Sequence, residues 1–184
     1  MGSALFEIDA IKDLPLWGQV YIASRMIRRA LYVLPASAPE TLRKTYEAGC
    51  DAIDRCAEAG EWLKSEKPAI KRAGDCKPIR ATSQIASAFH YVADATHAAH
   101  DSLDFSAAET SSVRSSYTAI GLAARSPGLN ALQATIFAAS DLDQLRFACK
   151  EGNVGRYDGL GSHVIGRMAP IYPPREKGAG SPEL

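Results

Sequence analysis

The sequence contains few of the features that mark membrane, secreted or nucleic-acid-binding proteins. No apolar run reaches the roughly 18 residues that a membrane-spanning helix needs. The first residues show neither the basic segment nor the long apolar core of a secretory signal. Basic and acidic side chains, 21 of each, balance to a net charge of zero, without the basic excess typical of proteins that bind nucleic acids or anionic membranes. We therefore expect a cytoplasmic protein that binds neither a membrane nor a nucleic acid.

Motifs of the common enzyme classes are also absent. The sequence has no G-x-S-x-G elbow, no H-E-x-x-H zinc motif and no C-x-x-C pair. The glycine-rich stretch 159–166 misses the G-x-G-x-x-G spacing and has no lysine at the Walker position. No local motif therefore supports catalysis, which leaves only a catalytic site assembled from distant residues.

The four cysteines are predicted to be free thiols, mostly buried, in a reducing compartment. Cys50 and Cys56 lie six residues apart on a predicted helix, a rotation of about 600° at about 100° per residue. They therefore point to different faces of that helix and are poorly placed to share a metal ion. A disulfide to Cys76 or Cys149 stays open on the sequence alone.

The sequence is rich in alanine and in helical periodicity. Alanine accounts for 31 of the 184 residues, and apolar residues recur at helical spacing while strand signals are weak. Small side chains let helix axes approach toward the short end of the usual range of about 8–10 Å. We predict an all-α fold with one domain of five or six packed helices over 1–151, followed by a glycine- and proline-rich C-terminal segment over 152–184.

Six helices are predicted from capping residues, prolines and apolar periodicity. They are, in chain order, the segment from Asp13 to Pro35, the segment from the capping box at Ser37 and Glu40 to about Leu63, 82–103, a helix from the capping box at Ser106 and Glu109, a helix after Ser126 and Pro127, and 141–150. The last of them follows a slip of the apolar phase after Ser140, which predicts a break in the helix there.

Apolar stripes predict the buried faces of these helices. The stripes are Leu16, Val20, Ala23, Ile27, Ala30, Leu31 and Leu34 on the first helix, Leu42, Tyr46, Gly49, Cys50, Ile53, Ala57 and Gly60 on the second, Ile85, Phe89, Val92, Thr96, Ala99 and Leu103 on the third, Val113, Tyr117, Ile120 and Ala124 on the fourth, and Leu129, Leu132, Ile136 and Ala139 on the fifth. Between the second and third helices, 64–81 has six basic and two acidic residues together with Pro68, Gly74 and Pro78, which predicts a solvated loop.

One group on the first helix has the composition of a protein interface. Its residues follow a spacing of four, four and three, and they are Trp17, Tyr21, Arg25 and Arg28. Aromatic and arginine side chains dominate the binding energy of interfaces, so this group is a predicted partner-binding surface. The acidic outer face of the second helix, with Asp51, Asp54 and Glu58, is a predicted second surface. The alternative is that the aromatic residues pack inside while the arginines pair with that acidic face.

A second group on the third helix has the composition of a metal site. Its residues share one stripe at spacings of four, three and four, and they are His90, Asp94, His97 and Asp101. Imidazoles and carboxylates one helical turn apart are ligands for a divalent transition metal. The favoured interpretation is a solvated face with His–Asp pairs, because no Glu-x-x-His occurs on another helix. A partner-facing or pH-responsive stripe is a third interpretation.

Two short elements carry a resemblance to known proteins. Leu14-Pro15-Leu16-Trp17, followed by Arg25, Arg28-Arg29, Leu31 and Leu34, and the later Asp141-Leu142-Asp143-Gln144-Leu145 resemble a group of uncharacterised bacterial proteins with alanine-rich helices. That group is in turn similar to all-α immunity proteins of bacterial toxin systems, and the likeness spans most of 10–150. It implies an all-α fold and neutralisation of a toxin by protein binding, and it brings no catalytic residues.

The sequence thus predicts a cytoplasmic protein-binding protein, in the particular form of toxin neutralisation. A metal-binding protein or metal-dependent enzyme that uses the His/Asp stripe is the first alternative, and no other cofactor is expected. A structural subunit whose segment from Gly152 docks on a neighbour is the second alternative, and homo-oligomerisation stays open.

Overall fold

The computed structural model describes residues 8–31, 34, 38–76, 80–98, 100, 105–123 and 131–171. Within these ranges the chain is helical and contains no strand, which confirms the predicted all-α fold. The elements are a 3₁₀ helix (Ile8–Asp13), α1 (Leu16–Ala30), α2 (Glu40–Ala59), α3 (Lys67–Asp75), α4 (Arg80–His97), α5 (Phe105–Ala123), α6 (Ala131–Glu151) and α7 (Gly161–Ile165). None of the helices so described is long and apolar enough to cross a lipid bilayer.

The central helix of the fold is α1, which packs against α2, α4, α5 and α6. Every residue of α1 except Arg28 is buried, so the predicted stripe is only part of its buried surface. Because helices surround it, polar side chains of α1 are also buried and bond to backbone carbonyls. Gln19 Nε2 donates to the carbonyl of Leu14 at 3.2 Å, and Ser24 Oγ donates to the carbonyl of Cys50 on α2 at 3.3 Å.

The first two predicted helices differ from the structure in their starts, and the second also differs in its end. Helix α1 begins at Leu16, because Asp13 closes the 3₁₀ helix instead. Helix α2 starts directly after Pro39 without a side-chain cap, so a capping box does not begin this helix. It ends before Gly60 rather than at Leu63, because Gly60 adopts the left-handed conformation (φ 73°) that glycine reaches without steric cost. The fourth predicted helix begins at Phe105, so its predicted cap Ser106 lies inside the helix.

The segment 64–81, predicted to be a loop, contains helix α3. Pro68 lies in the first turn, where its missing N–H removes no helical hydrogen bond. Ile70 and Ala73 are buried, and α3 packs against α2 and α4. The loop prediction was wrong because Pro68 and Gly74 mark the two ends of a nine-residue helix rather than a gap between helices.

The predicted core stripe of α4 is confirmed where the structure describes it. Its four described members are all buried, and they are Ile85, Phe89, Val92 and Thr96. The ring of Phe89 stacks on Tyr46 of α2 with centroids 5.6 Å apart. Ala99 and Leu103 lie outside the described residues.

Helix α5 buries its small residues and exposes a large one. Its interior face consists of Ala108, Ser112, Ser115, Ser116 and Ala119. Tyr117, predicted to be in the core, is 68% exposed, and Val113 and Ile120 are only half-buried. Small side chains let α5 lie close to α1 and α4, where Ser115 Oγ donates to the carbonyl of Ala88 at 2.8 Å. The prediction was wrong because close helix packing selected the face with the smallest side chains, not the most apolar face. Ala124 lies outside the described residues.

Helix α6 continues without a break through Ser140, so its predicted division into two helices was wrong. Its buried stripe consists of Ala138, Asp141, Leu142, Leu145, Ala148 and Cys149. The apolar phase slips in the sequence because an acidic residue, Asp141, occupies one buried position of this stripe. Ile136, predicted to face inward, is 52% exposed. The side chains of Leu129 and Leu132 are outside the described set.

The glycine-rich segment after α6 packs onto the helices as far as the structure describes it. Leu160 and Val164 are buried, and the N–H of Leu160 donates to the carbonyl of Ala57 in α2 at 2.9 Å. Two stretches of backbone cross at Gly60 and Gly159, where a Cβ on Gly159 would lie 2.5 Å from the backbone nitrogen of Gly60. This crossing therefore requires glycine at position 159. The rest of the predicted C-terminal segment, 172–184, falls outside the described ranges.

Replacing Gly159 with alanine should destabilise the protein by about 1–3 kcal/mol, because the new methyl group would overlap the backbone of Gly60. Gly121 on α5 is the matched control, since a Cβ there meets no atom within 4 Å. Gly121→Ala should be neutral or stabilise by up to about 1 kcal/mol through helix propensity. Urea unfolding measures both changes, and equal midpoints for the two variants would contradict the crossing.

Candidate functional site

The interior of the bundle contains an ion network built on one carboxylate. Asp141 of α6 is 2% exposed and accepts from two arginines of α1. Arg25 Nη2 donates to Oδ1 at 2.7 Å, and Arg29 Nε donates to Oδ2 at 2.7 Å. Both arginines are themselves buried, at 5% and 6% exposed. The network therefore joins α1 to α6 by charge-assisted hydrogen bonds in a low-dielectric environment.

Each of the two arginines in this network makes a further contact, and the network carries one more positive charge than negative charge. Arg25 Nη2 also donates to the carbonyl of Ala169 at 2.9 Å, which links α1 to the C-terminal segment. The guanidinium carbon of Arg29 lies 5.1 Å from the ring centroid of Phe137, a cation–π contact. Burial by itself lowers the pKa of Arg25, but the bond and the charge of Asp141 outweigh burial and raise that pKa. The arrangement is a structural clamp, and it presents no group to solvent.

The predicted partner surface on the first helix lies mostly in the interior. Trp17 is 2% exposed, Tyr21 is 4% exposed and Arg25 belongs to the buried network. The prediction placed these side chains outside because it assumed that α1 buries only one face. Since helices cover α1 on its other faces too, a partner cannot reach these three side chains in this structure.

Arg28, the fourth member of that group, joins the two predicted surfaces to each other. Its Nη2 lies 2.9 Å from Asp51 Oδ1 and 2.5 Å from Asp54 Oδ2, both on α2. The alternative that an arginine of the first helix pairs with the acidic face is therefore confirmed for Arg28. Burial lowers the pKa of Arg28, but Cys50, Asp54 and Asp51 together raise it above its ordinary value, so Arg28 remains ionised. Glu58, one helical turn beyond Asp54, is half-buried.

The His/Asp stripe of α4 is exposed where the structure describes it. His90, Asp94 and His97 all face solvent, and Asp101 lies outside the described residues. The ring of His97 packs edge-on against Trp62 with centroids 6.0 Å apart, while His90 lies against α3 at Gly74. Among the residues that the structure describes, no group of three or more histidine, cysteine or acidic side chains is arranged to hold a metal ion.

All four cysteines are free thiols, as predicted, and three of them are buried. Burial raises the pKa of Cys50 to about 12 and that of Cys149 to about 11, and it also raises the pKa of Cys56. These three thiols are therefore protonated at neutral pH and poor nucleophiles. Cys76, just after α3, is the one with partial exposure.

An open groove of about 330 Å³ between α4 and α5 is the candidate contact site. Tyr91 lines it from α4, and Val113, Arg114, Tyr117 and Thr118 line it from α5. Tyr117 and Arg114 are exposed, and within the described part of the chain Arg114 makes no ion pair. Tyrosine and arginine beside apolar side chains are the chemistry of interface hot spots.

The sequence pattern did not indicate this groove. Tyr117 was assigned to the core, so its neighbours were not considered as a surface. The signal that could have found the groove is the second stripe of α5, made of alanine and serine at helical spacing. Two stripes on opposite faces of one helix cannot both be buried against the same neighbouring helices. The stripe with the smaller side chains permits the shorter distance between helix axes.

Substituting Asp141 with asparagine should destabilise the fold by about 3–5 kcal/mol, because two buried guanidinium groups lose the carboxylate charge that both of them contact. Asp51→Asn is the control, since the Asp51 side chain is 54% exposed and Arg28 keeps Asp54. Its cost should stay below about 1 kcal/mol. Urea unfolding gives both values, and similar losses would show that the buried network is not the stronger constraint.

A thiol-specific reagent such as Ellman's reagent should label one cysteine per native chain rapidly at about pH 8, and all four after unfolding. Cys76→Ser should abolish the rapid phase, and Cys149→Ser should leave it unchanged, because Cys149 is buried and its pKa is about 11. A rapid phase that survives Cys76→Ser would contradict this order of reactivity.

No protein-family model, curated protein or solved structure matches this chain.

Proposed function

We propose that this chain is a protein-binding protein whose contact surface is the groove between α4 and α5. Its partner offers an apolar segment flanked by acidic side chains. The observation that carries the proposal is the exposure of Tyr117, at 68%, beside Tyr91 and the unpaired Arg114 of the described chain.

The apolar part of the groove supports burial against a partner. A tyrosine can bury about 150–250 Å² of surface in a contact, and its hydroxyl can still find a hydrogen-bond partner there. Val113 and Ile120 lie at positions −4 and +3 from Tyr117, so they share its face of α5. A partner segment placed along this face would cover apolar surface that the fold leaves to solvent.

Arg114 supports the acidic character of the partner. Other arginines of the described chain are committed to carboxylates, for example Arg55 to Glu66 at 2.6 Å and Arg146 to Asp13 at 2.8 Å. Arg114 has no such partner among the described residues and lines the groove, so a carboxylate brought by the partner would complete it.

The resemblance of the sequence to all-α immunity proteins supports a particular form of this role. In that form the partner is a bacterial toxin domain, and its coverage by the groove neutralises it. Recovery of growth when this chain is co-expressed with a toxin encoded beside its gene would test that form.

A photo-crosslinking amino acid in place of Thr118 should trap the partner inside the groove, whereas the same amino acid in place of exposed Glu47 on α2 should not. The trapped protein is then purified and its affinity for the chain measured directly. Arg114→Glu should weaken that complex about tenfold or more, because it replaces an attractive charge with a repulsive one.

Arg72→Glu is the matched control, since Arg72 is also exposed and, among the described residues, has no ion pair. It should leave the affinity unchanged. Equal weakening by the two variants, or equal trapping from position 47, would contradict the proposed surface. A crosslink between two copies of the chain would instead support the structural-subunit alternative.

A further inference from the structure

A second groove, of about 490 Å³, lies where the 3₁₀ helix meets the end of α6. Its walls come from the residues just after the 3₁₀ helix, from the last turns of α6 and from the turn that follows α6. This volume falls within the range of about 300–1,000 Å³ that is usual for small-molecule sites. It is formed by different elements from those of the α4–α5 groove.

The sequence shapes this groove through the way in which α6 ends. Asn153 has a left-handed φ of 50° and follows Gly152 at the end of the helix. The N–H of Asn153 donates to the carbonyl of Lys150 at 3.1 Å, and the N–H of Val154 donates to the carbonyl of Cys149 at 3.0 Å. This pair of bonds is a Schellman motif, in which the residues at the two ends of the longer bond make an apolar contact. The motif satisfies the last carbonyls of α6 and places Val154 beside Cys149 in the groove wall.

The polar part of the groove is cationic. Arg146, Lys150 and Arg156 line it together with a single carboxylate, Asp13. Arg146 Nη2 lies 2.8 Å from Asp13 Oδ2, which leaves two positive charges in the lining. Arg156 is 56% exposed and also contacts Glu109 outside the groove at 2.5 Å, whereas Lys150 has no ion pair within the described ranges. Lys150 and the side-chain amide of Asn153 are therefore available donors at the groove.

The remaining wall is apolar. Pro15 and Val154, both partly exposed, contribute aliphatic surface, while Leu14 and the thiol of Cys149 in the same wall are buried. Burial raises the pKa of Cys149 to about 11, so this thiol is neutral and adds no negative charge that would oppose an anion. One groove thus combines excess positive charge with apolar surface.

We propose that the groove at the end of α6 binds a small organic anion, namely a carboxylate or a phosphate monoester carried on an apolar body. The charged group lies between Lys150, Arg156 and the side-chain amide of Asn153, and the apolar body lies against Pro15 and Val154. Neither part alone accounts for the lining: a bare anion leaves Pro15 and Val154 uncovered, and a neutral apolar molecule leaves Lys150 without a counter-charge.

Titration of the full chain with phenyl phosphate, followed by ¹H–¹⁵N correlation spectra, tests the proposal. Saturable shifts are expected at the backbone amides of Leu14, Asn153 and Val154. Benzyl alcohol and inorganic phosphate should each bind about tenfold or more weakly than phenyl phosphate, because each lacks one of the two recognised parts. Benzoate in a parallel titration shows whether a carboxylate or a phosphate is the better head group.

Lys150→Gln should weaken phenyl phosphate binding about tenfold, as expected for loss of a charge-assisted hydrogen bond. Lys71→Gln removes the same charge from an exposed position on α3 and should have no effect. Thermal unfolding of both variants verifies that they fold. Equal affinity for benzyl alcohol, shifts centred on other helices, or unchanged binding by Lys150→Gln would overturn the proposal. Tyr117→Ser should not alter this binding, so the result is independent of the α4–α5 groove.

Discussion

The arrangement of the helices depends on the buried contact of Asp141 with Arg25 and Arg29. A carboxylate and two guanidinium groups removed from water are stable only while they remain together, because each alone would carry a large desolvation cost. Sliding α6 by one turn along α1 would separate them. The contact therefore sets the register between these helices, and the bond from Arg25 to the carbonyl of Ala169 extends the same constraint to the C-terminal segment.

The second constraint is the small size of the side chains between the central helices. The serine and alanine face of α5 permits close approach to α1 and α4, and Ser115 forms a hydrogen bond across that contact. Because the serine and alanine face of α5 is turned toward the interior, Val113 and Tyr117 on another face of the helix are turned outward. The proposed contact groove is thus a direct consequence of how the core is packed. The same packing buries α1 on all sides and removes Trp17 from any surface.

A net charge of zero conceals an uneven use of the charged side chains. Asp141 satisfies two arginines inside, and Asp51 and Asp54 together hold Arg28. Where these helices meet, acidic and basic side chains form ion pairs with each other. A cation that lines a groove and has no carboxylate partner among the described residues therefore indicates where an anionic group of a ligand or partner could bind. Arg114 marks the α4–α5 groove and Lys150 marks the groove at the end of α6. A balanced net charge is not typical of a general polyanion binder, but it is compatible with local anionic contacts.

The amino-acid sequence by itself determined the all-α class and the described part of the buried stripe of α4, because helical periodicity is a local property. It predicted free thiols but left a disulfide to Cys76 or Cys149 open, and the structure decided that point. Only the tertiary structure decided which face of α5 is buried, that α1 is enclosed, and that α6 runs unbroken through Asp141. Those outcomes depend on neighbours that are distant in the chain. A polar residue is acceptable inside when its counter-charges come from another helix, and an apolar residue lies outside when a smaller face packs more closely. Periodicity cannot register either condition, since both arise only when the helices meet.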